Sequence, residues 1–434
     1  MKSALVYAAD NTRLKNFLTD ENYRDHEILA AVVEDSAGKK ISVPDLDAVR
    51  RLRPKFPPSL DVISPQDVNN SVDAVFILSA TDFASAVKLL IRSGIAPRKI
   101  IPWHETQIEP LSFGLRDGSE LVCFEGLEFH VKNLRDKEFV DQTIFRLSNQ
   151  KRLRRTPLND LPKLLMSLYR ERMGRELDLA APKTFTEKLN WLKLYDLSPL
   201  KVRLADKVAV RSFVAEKLGA QHLIPLLGVW NNFDAIDFDS LPAQFVLKCN
   251  HGSGMNVVVA NKNSLDVQRA RERFAAWLAT NYSATQLELH YGAIEPKILA
   301  EKFIGAADAE LDDYKVHCFG GAAKFVQILG KTNPATGTRY HEVLNFDGKY
   351  LDPPPFARQN FFPTPPEGLA HLHELKTCAE VLSKNFAYVR ADFYFVGGQI
   401  LFGEMTFCHE AGFTSYDDFW THARDLKLGA LIKI

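Results

Sequence analysis

The N-terminal part of the chain alternates short apolar runs with stretches of helical periodicity. Four apolar runs have the length and composition of buried strands: Ala4–Ala8, Ile28–Val33, Ala74–Leu78 and Ile100–Ile101. Helices are predicted between them, at about residues 11–19 and 81–93. Strands separated by helices indicate a parallel sheet, so we predict a Rossmann-like domain over residues 1–150.

This predicted domain lacks the glycine signature of a dinucleotide site. Its first strand ends in Ala8-Ala9-Asp10-Asn11, and no GxGxxG follows. A small ligand at the carboxyl ends of the strands is one interpretation, because parallel sheets bind ligands there. A scaffold or partner-docking role is the other, and the sequence favours it.

Residues 151–434 have a different pattern and are predicted to form a second domain of mixed α+β type. Leu161–Met173 carries the apolar stripe of a helix, and Thr184–Glu187 has the sequence of a capping box that begins another. The basic run Lys151–Arg155 at the domain boundary is interpreted as a solvated linker. Beyond residue 240, strand candidates come in pairs joined by glycine-rich turns.

Composition and charge argue against several functional classes for this chain. The 434 residues are 46% hydrophobic, and 54 Lys and Arg balance 54 Asp and Glu. A neutral chain argues against nucleic-acid binding and against a polybasic membrane anchor. The five cysteines are widely spaced without a CxxC pair, which indicates reduced, buried thiols. With no signal peptide and no apolar run of roughly 18 residues, we expect a cytoplasmic protein.

A lysine at the end of a strand is followed by a flexible turn. In Phe245–Gly254, Lys248 ends an apolar run, and His251, Gly252, Ser253 and Gly254 form the turn. A strand-borne lysine can place a point charge on phosphate oxygens, and a glycine-rich turn lets backbone N–H groups approach an anion. An ordinary hairpin with a glycine turn is the alternative. Upstream, Asp206-Lys207 at a helix end is a weaker signal of the same kind.

Two further strands place polar side chains on one face. Glu301 interrupts the apolar run Lys297–Ile304 and could present a carboxylate and backbone groups to an adenine edge. In Asp313–Gly321, alternation puts Asp313, Lys315 and His317 on the same face of a strand that leads into a hairpin. By themselves these patterns favour a face that points to solvent.

The hairpin from Tyr388 to Phe407 gives the most specific indication of a functional site. Asp392 and Glu404 lie on opposite sides of a Gly-Gly turn at comparable distances from it, so they can face each other and share Mg²⁺. Arg390 points to the same face and could neutralise a developing anion. A solvated charge cluster is the alternative, but charges within apolar runs are costly unless they are paired or metal-bound.

In this order, these elements resemble the ATP-grasp superfamily. The phrases Asp206-Lys207, Phe245–Gly254, Asp313-Tyr314-Lys315 and Phe402-Gly403-Glu404 are most similar to its TupA-like branch, over about residues 161–434. That branch is linked to teichuronopeptide and other cell-surface polymers. The resemblance implies two α+β subdomains that sandwich ATP.

It also implies roles for single residues. The lysines Lys207 and Lys248 would hold the phosphates under the His251–Gly254 loop, and Glu301 with the backbone of Lys302, Phe303 and Ile304 would bind adenine. Asp313 would lie near the ribose, and Lys315 would also belong to the nucleotide site. Asp392 and Glu404 would bind Mg²⁺, and Arg390 would steady the transferring phosphoryl group or the tetrahedral intermediate. Thr406 stands where many such ligases have Asn, which leaves the number of metal ions open.

The activity that the resemblance implies is an ATP- and Mg²⁺-dependent carboxylate–amine ligase. The expected substrate is a surface polysaccharide or its precursor, such as a uronic acid joined to an amino acid, with peripheral association with the polymer machinery. A glycosyltransferase and an ATP-grasp kinase are the alternatives. The acid, the amine and the oligomeric state stay open.

Overall fold

The fold is described from a computed structural model. The structure describes residues 2–7, 26–32, 40–42, 59–63, 74–77, 96, 99–102, 110–115, 118–124, 127–305, 311–332, 339–351, 367–415 and 420–434. Contacts divide the chain into two compact units, Met1–Arg152 and Leu153–Ile434.

The first unit contains a six-stranded sheet and a three-stranded sheet. The strands of the larger sheet are β1 (Lys2–Tyr7), β2 (His26–Val32), β3 (Lys40–Ser42), β4 (Ser59–Ile63), β5 (Ala74–Ile77) and β6 (Ile100–Pro102). Their order is β3-β4-β2-β1-β5-β6; β3 pairs antiparallel with β4, and the other neighbours pair in parallel. The helices predicted at 11–19 and 81–93 lie outside the described residues. A Rossmann-like fold therefore stays a prediction.

The smaller sheet is an antiparallel meander, followed by a helix. Its strands are β7 (Leu111–Gly114), β8 (Glu120–Phe124) and β9 (Leu127–Val131), and the helix is α1 (Leu134–Arg155). The interpretation of Lys151–Arg155 as a linker is wrong, because this run forms the last turns of α1. Lysine, arginine and leucine are good helix formers, and neither Gly nor Pro interrupts the run.

The second unit begins with helices and a four-stranded antiparallel sheet of order β10-β13-β11-β12. The helices are α2 (Leu161–Met173), α3 (Phe185–Tyr195), α4 (Pro199–Ala205), α5 (Val210–Lys217), α6 (Val267–Ala279) and α7 (Ser283–Gln286). The strands are β10 (Leu226–Trp230), β11 (Phe245–Cys249), β12 (Asn256–Val259) and β13 (Ile298–Lys302). The predicted capping box at the start of α3 is confirmed, with the Glu187 backbone N–H donating to Thr184 Oγ1 at 3.2 Å.

A five-stranded antiparallel sheet follows, of order β16-β15-β14-β17-β18. The strands are β14 (Asp313–Phe319), β15 (Ala322–Thr332), β16 (Arg339–Leu344), β17 (Tyr388–Val396) and β18 (Gln399–Thr406); the helices are α8 (Leu372–Ser383) and α9 (His422–Gly429). One aromatic cluster anchors α3 against this sheet, with the Phe185 ring 5.0 Å from Tyr388 and 5.8 Å from Trp420. The five cysteines form no disulfide and are buried, as predicted.

The register of this sheet lines up one polar row across four strands. Lys315 on β14 is paired with Gln327 on β15 and with Asp392 on β17, and Asp392 is paired with Glu404 on β18. Directly paired residues project from the same face of a sheet. The row therefore places one positive, two negative and one amide side chain side by side.

A bulge at Gly403 is what brings Glu404 into that row. Phe393 pairs with Phe402, but Asp392 pairs with Glu404, so Gly403 is the extra residue. Without it, Asp392 would pair with residue 403, and Glu404 would face the other side. A Cβ at Gly403 would come 3.1 Å from the Asp392 carbonyl oxygen, so a side chain fits poorly there.

Candidate functional site

Nine of the predicted site residues of the second unit meet at one cleft of about 210 Å³. Its walls come from the ends of α4, β11 and β12 on one side and from β14, β17 and β18 on the other. The lining residues that the sequence predicted are Lys207, Lys248, Gly252, Ser253, Gly254, Asp313, Lys315, Asp392 and Glu404. Residues nearly 200 positions apart thus share one surface.

Lys207 reaches across the cleft from the end of α4. Its ammonium group donates to the Gly252 carbonyl oxygen at 2.7 Å and lies 3.0 Å from the Glu404 carboxylate. The Lys207 backbone N–H in turn donates to the Asn250 carbonyl oxygen at 3.1 Å. Lys207 therefore connects the glycine turn with the last strand of the larger sheet.

Asn250 fixes the turn that carries Lys207. Its amide nitrogen donates to Asp206 Oδ1 and to the Glu295 carbonyl oxygen, both at 3.0 Å, and its Oδ1 accepts from the Lys297 N–H at 2.7 Å. The side chain is fully buried. It is a site residue that the sequence reasoning missed, although it stands in the quoted run between Lys248 and the glycine turn.

Lys248 is held by Glu301 on the neighbouring strand. The Lys248 ammonium donates to Glu301 Oε2 at 2.7 Å, and Arg211, also missed from sequence, binds Oε1 at 3.1 Å. Both oxygens of Glu301 are thus engaged, and its side chain orients Lys248 rather than lining the cleft. An acceptor role for Glu301 toward adenine stays a prediction.

The glycine turn allows a close approach at Gly252. A Cβ on this residue would lie 2.6 Å from the ring of Tyr282, so the ring fills the space of the missing side chain. Ser253 and Gly254 are exposed, and Gly254 has a φ of 71°. The turn therefore offers unobstructed backbone to the cleft, as an anion site requires.

Arg390 organises the carboxylates of the metal-site prediction. Its Nε and Nη2 atoms donate to Oδ1 and Oδ2 of Asp392, each at 2.7 Å. Nη2 also donates to Thr406 Oγ1 at 3.1 Å, and the Thr406 hydroxyl donates to Glu404 Oε1 at 3.2 Å. Arg390 and Thr406 together fix Asp392 and Glu404 relative to each other.

Charged side chains of both signs are paired in and around the cleft. Lys207 and Arg390 lie near Glu404, and Lys315 binds Asp392 at 2.9 Å. Lys248 is paired with Glu301, which does not line the cleft. Burial raises the pKa of Glu404, but the charges of Lys207 and Arg390 outweigh it and lower that pKa to about 2. Burial also raises the pKa of Asp313, and Lys315 offsets this effect only in part.

These residues fit a nucleotide with Mg²⁺. Among the described residues, no group of three or more His, Cys, Asp or Glu side chains is arranged to hold a metal ion. Mg²⁺ commonly takes one or two carboxylates and completes its shell with phosphate and water. Asp392 and Glu404 supply such a pair, and the buried Asp313 Oδ1 has no hydrogen-bond partner. A bound phosphate group would compete with the carboxylates for the lysine and arginine side chains. The carboxylate oxygens released from these ion pairs could then bind Mg²⁺.

Comparison with known proteins agrees with this geometry. The family model described as TupA-like ATPgrasp matches residues 187–433, which is more than half of the chain. The chain belongs to the TupA-like ATP-grasp family. The predicted resemblance is thereby confirmed, and with it the prediction of an ATP-grasp enzyme. None of the curated protein sequences matches the chain.

Solved structures show remote similarity. D-alanine–D-alanine ligase from Helicobacter pylori has a TM-score of 0.34 at 19% identity, over 57% of this chain and 69% of that one. The ATP-grasp ligase PsnB complexed with a minimal precursor has a TM-score of 0.31 at 11% identity, over 51% and 60%. D-alanine–D-alanine ligase from Bacillus anthracis complexed with ATP has a TM-score of 0.27 at 10% identity, over 94% and 86%.

Some predicted nucleotide-binding residues of this ATP-grasp chain lie away from the cleft. The His251 ring is buried, and its Nε2 lies 3.1 Å from the Trp277 carbonyl oxygen and 3.2 Å from that of Thr280. Burial, with Lys207 nearby, lowers the pKa of His251. Lys302 is exposed, and neither it nor Phe303 and Ile304 lines the cleft. Any contact of His251 with a nucleotide would therefore come from its backbone.

Five further residues of the cleft were not predicted. Tyr394 and Gly403 line the cleft from the β17–β18 hairpin, and Cys249, Met255 and Asn256 line it from the end of β11 and from the chain around the start of β12. Side chains alternate along β17, so Tyr394 lies on the same face as Asp392, and its place in the cleft could have been predicted from the sequence. Within the described residues, no helix is both long enough and apolar enough to cross a membrane.

Proposed function

We propose that the chain is an ATP- and Mg²⁺-dependent carboxylate–amine ligase that forms an amide through an acyl phosphate. One observation carries the proposal: Lys207, Lys248 and the Gly252–Gly254 turn share a cleft with Asp392 and Glu404. Cations and free backbone suit the phosphates, and paired carboxylates suit a hard divalent ion.

The position of each residue in the cleft indicates its role in the reaction. Lys207 and Lys248 would bind phosphate oxygens and offset their charge during transfer. Asp392 and Glu404 would hold Mg²⁺, which when bound neutralises charge on the transferring phosphoryl group. Arg390, fixed by Asp392 and Thr406, would face the anion that develops when the carboxylate attacks. Asp313 and Lys315 would lie toward the ribose.

The substrates we propose are a uronic acid, free or within a surface polysaccharide or its precursor, and an amino acid. This rests on family membership and not on a residue of the cleft. The reaction transfers the γ-phosphoryl group to the acid and releases ADP. The amine nitrogen then bonds to the acyl carbon, and inorganic phosphate leaves. We further propose that residues 1–150 form a Rossmann-like domain.

The test is ADP release from Mg-ATP with D-glucuronate or D-galacturonate and the standard amino acids. We expect turnover only when an acid and an amine are both present. Asp392→Asn should lower it at least a hundredfold, whereas Asp234→Asn, at a side chain 72% exposed, should match the wild type. Phosphorylated acid formed without an amine would replace the proposal by the kinase alternative. Sugar transfer from a UDP-sugar without ATP would replace it by the glycosyltransferase alternative.

A further inference from the structure

Both carboxylates that we propose for Mg²⁺ are held by cations of the chain itself. The Lys207 ammonium lies 3.0 Å from Glu404 Oε2. The Lys315 ammonium donates to Asp392 Oδ2 at 2.9 Å. The other oxygen of each carboxylate also accepts a hydrogen bond, from a threonine hydroxyl in one case and from a guanidinium group in the other. A metal ion that approaches these carboxylates must therefore displace a donor that is already bound.

Lys207 differs from Lys315 in the part of the cleft from which it comes. Lys315 lies on β14, in the same sheet as both carboxylates. Lys207 follows α4 on the opposite wall, and its ammonium also donates to the carbonyl oxygen of Gly252 in the glycine turn, at 2.7 Å. A single ammonium group thus joins the part of the cleft that suits phosphates to the part that suits a metal ion.

The same ammonium group lies where it can bind a phosphate. The Gly252–Gly254 turn presents its backbone to the cleft, and Lys207 is bonded to the first residue of that turn. A lysine ammonium is a point charge on a flexible chain, with donors that rotate freely. A polyphosphate carries several negative charges, so it attracts the ammonium more strongly than one carboxylate does. A phosphate at the turn therefore draws Lys207 away from Glu404.

A divalent ion acts on this ion pair in a different way. Mg²⁺ and an ammonium group at the same carboxylate oxygen repel each other, because both are positive and only a few ångströms would separate them. Lys207 is mostly buried and is bonded at two points, to Glu404 and to Gly252, which makes it costly to displace. The metal ion therefore competes with Lys207, whereas the phosphates remove that competition.

We propose that the Lys207–Glu404 ion pair keeps divalent metal ions out of the cleft until a polyphosphate has bound at the Gly252–Gly254 turn. Binding of the phosphates transfers Lys207 from Glu404 Oε2 to the phosphate oxygens, and Oε2 becomes available to Mg²⁺. The metal ion thus enters with the nucleotide or after it. This inference rests on the Mg-ATP site of the proposed function and adds the order in which its two ligands bind.

Lys248 provides a matched comparison within the same cleft. Its ammonium forms an ion pair of 2.7 Å, but with Glu301, which is not one of the two metal carboxylates and does not line the cleft. The two lysine side chains are almost equally exposed, 16% for Lys207 and 18% for Lys248. Replacing either lysine by Gln removes one positive charge from the cleft wall. Of the two changes, Lys207→Gln alone releases a carboxylate oxygen of the metal site.

The experiment measures Mn²⁺ binding to the full-length protein without nucleotide, from the loss of the electron paramagnetic resonance signal of the free ion. Mn²⁺ takes the same oxygen ligands as Mg²⁺. We expect the Kd for Mn²⁺ to be roughly tenfold lower in Lys207→Gln than in Lys248→Gln, the usual effect of removing one competing charged hydrogen bond. Calorimetry with ATP in EDTA should show that the wild type binds the nucleotide without a metal ion.

The outcomes separate this inference from the ligase proposal. Equal Kd values for Mn²⁺ in the two variants would overturn the inference, and so would a wild type that binds Mn²⁺ alone more tightly than it binds ATP in EDTA. Circular dichroism establishes that the variants are folded; if Lys207→Gln is not, the two wild-type Kd values decide. Neither measurement involves an acid or an amine, so equal Kd values would leave the ligase proposal intact. If the wild type binds neither ATP nor Mn²⁺, the proposed nucleotide site fails and this inference with it.

Discussion

Replacing Asn250 by Ala should loosen the phosphate-binding side of the cleft without touching a charge. The Asn250 side chain makes three hydrogen bonds, to Asp206, to the Glu295 carbonyl oxygen and to the Lys297 N–H, at 3.0, 3.0 and 2.7 Å. These bonds tie the turn that carries Lys207 to the chain entering β13. The substitution removes all three and leaves their partners in a dry environment.

The magnitude follows from these bonds. Each is worth about 0.5–1.5 kcal/mol net, and a buried group left unsatisfied costs about 1–3 kcal/mol. We therefore expect the free energy of unfolding of the second unit to fall by roughly 2–4 kcal/mol. Because Lys207 loses its fixed position, the Kd for Mg-ATP should rise about tenfold, equivalent to about 1.4 kcal/mol.

Two measurements on the full-length protein test this prediction. Urea unfolding followed by tryptophan fluorescence reports mainly the second unit, because four of the five tryptophans lie in residues 153–434. Calorimetry gives the Kd for Mg-ATP. Asn263→Ala, the same change at an exposed position, is the control and should match the wild type. If Asn250→Ala also matched the wild type in both measurements, Asn250 would not hold the Lys207 turn and the reasoning would be refuted.

Two more predictions concern the metal and the pH dependence. In the wild type, Mg²⁺ should lower the Kd for ATP, as measured by calorimetry. In Asp392→Asn, the ratio of the Kd without Mg²⁺ to the Kd with Mg²⁺ should be at least tenfold smaller. An equal ratio in both proteins would argue against Asp392 as a metal ligand. Burial, together with the charges of Lys201 and Lys193, lowers the pKa of His290 from 6.5 to about 3. Between these values only the unfolded chain takes up the proton, so stability is lost as the pH falls below 6.5. From pH 7 to pH 5 this costs about 2 kcal/mol, which His290→Phe should abolish in urea unfolding. Equal losses in both proteins would contradict the assigned pKa.

Local signals predicted much of the second unit. The capping box at Thr184 is a short-range pattern, and the structure forms it. The hairpins around Gly320-Gly321 and Gly397-Gly398 are also local, because glycines at positive φ specify such turns. Helix α1 was not predicted, and its end was interpreted as a linker because a run of charge looks the same in a linker as on an exposed helix.

Pairing between distant segments could not be predicted in the same way. The sequence identified Lys248 and Glu301 as separate site candidates, but only the pairing of β11 with β13 brings them together as an ion pair.

The Asp392–Glu404 pair separates what local sequence patterns predict from what depends on contacts between distant segments. Sequence patterns alone predicted a β-hairpin with a Gly-Gly turn and two acidic residues at comparable distances from it, together with the order of motifs that marks the family. Which face Glu404 occupies was decided by the bulge at Gly403, because a shift of one residue turns every side chain to the other side of the sheet. That bulge, and the convergence of Lys207 on Glu404 at 3.0 Å, depend on contacts between segments far apart in the chain. Periodicity along a strand carries no information about them.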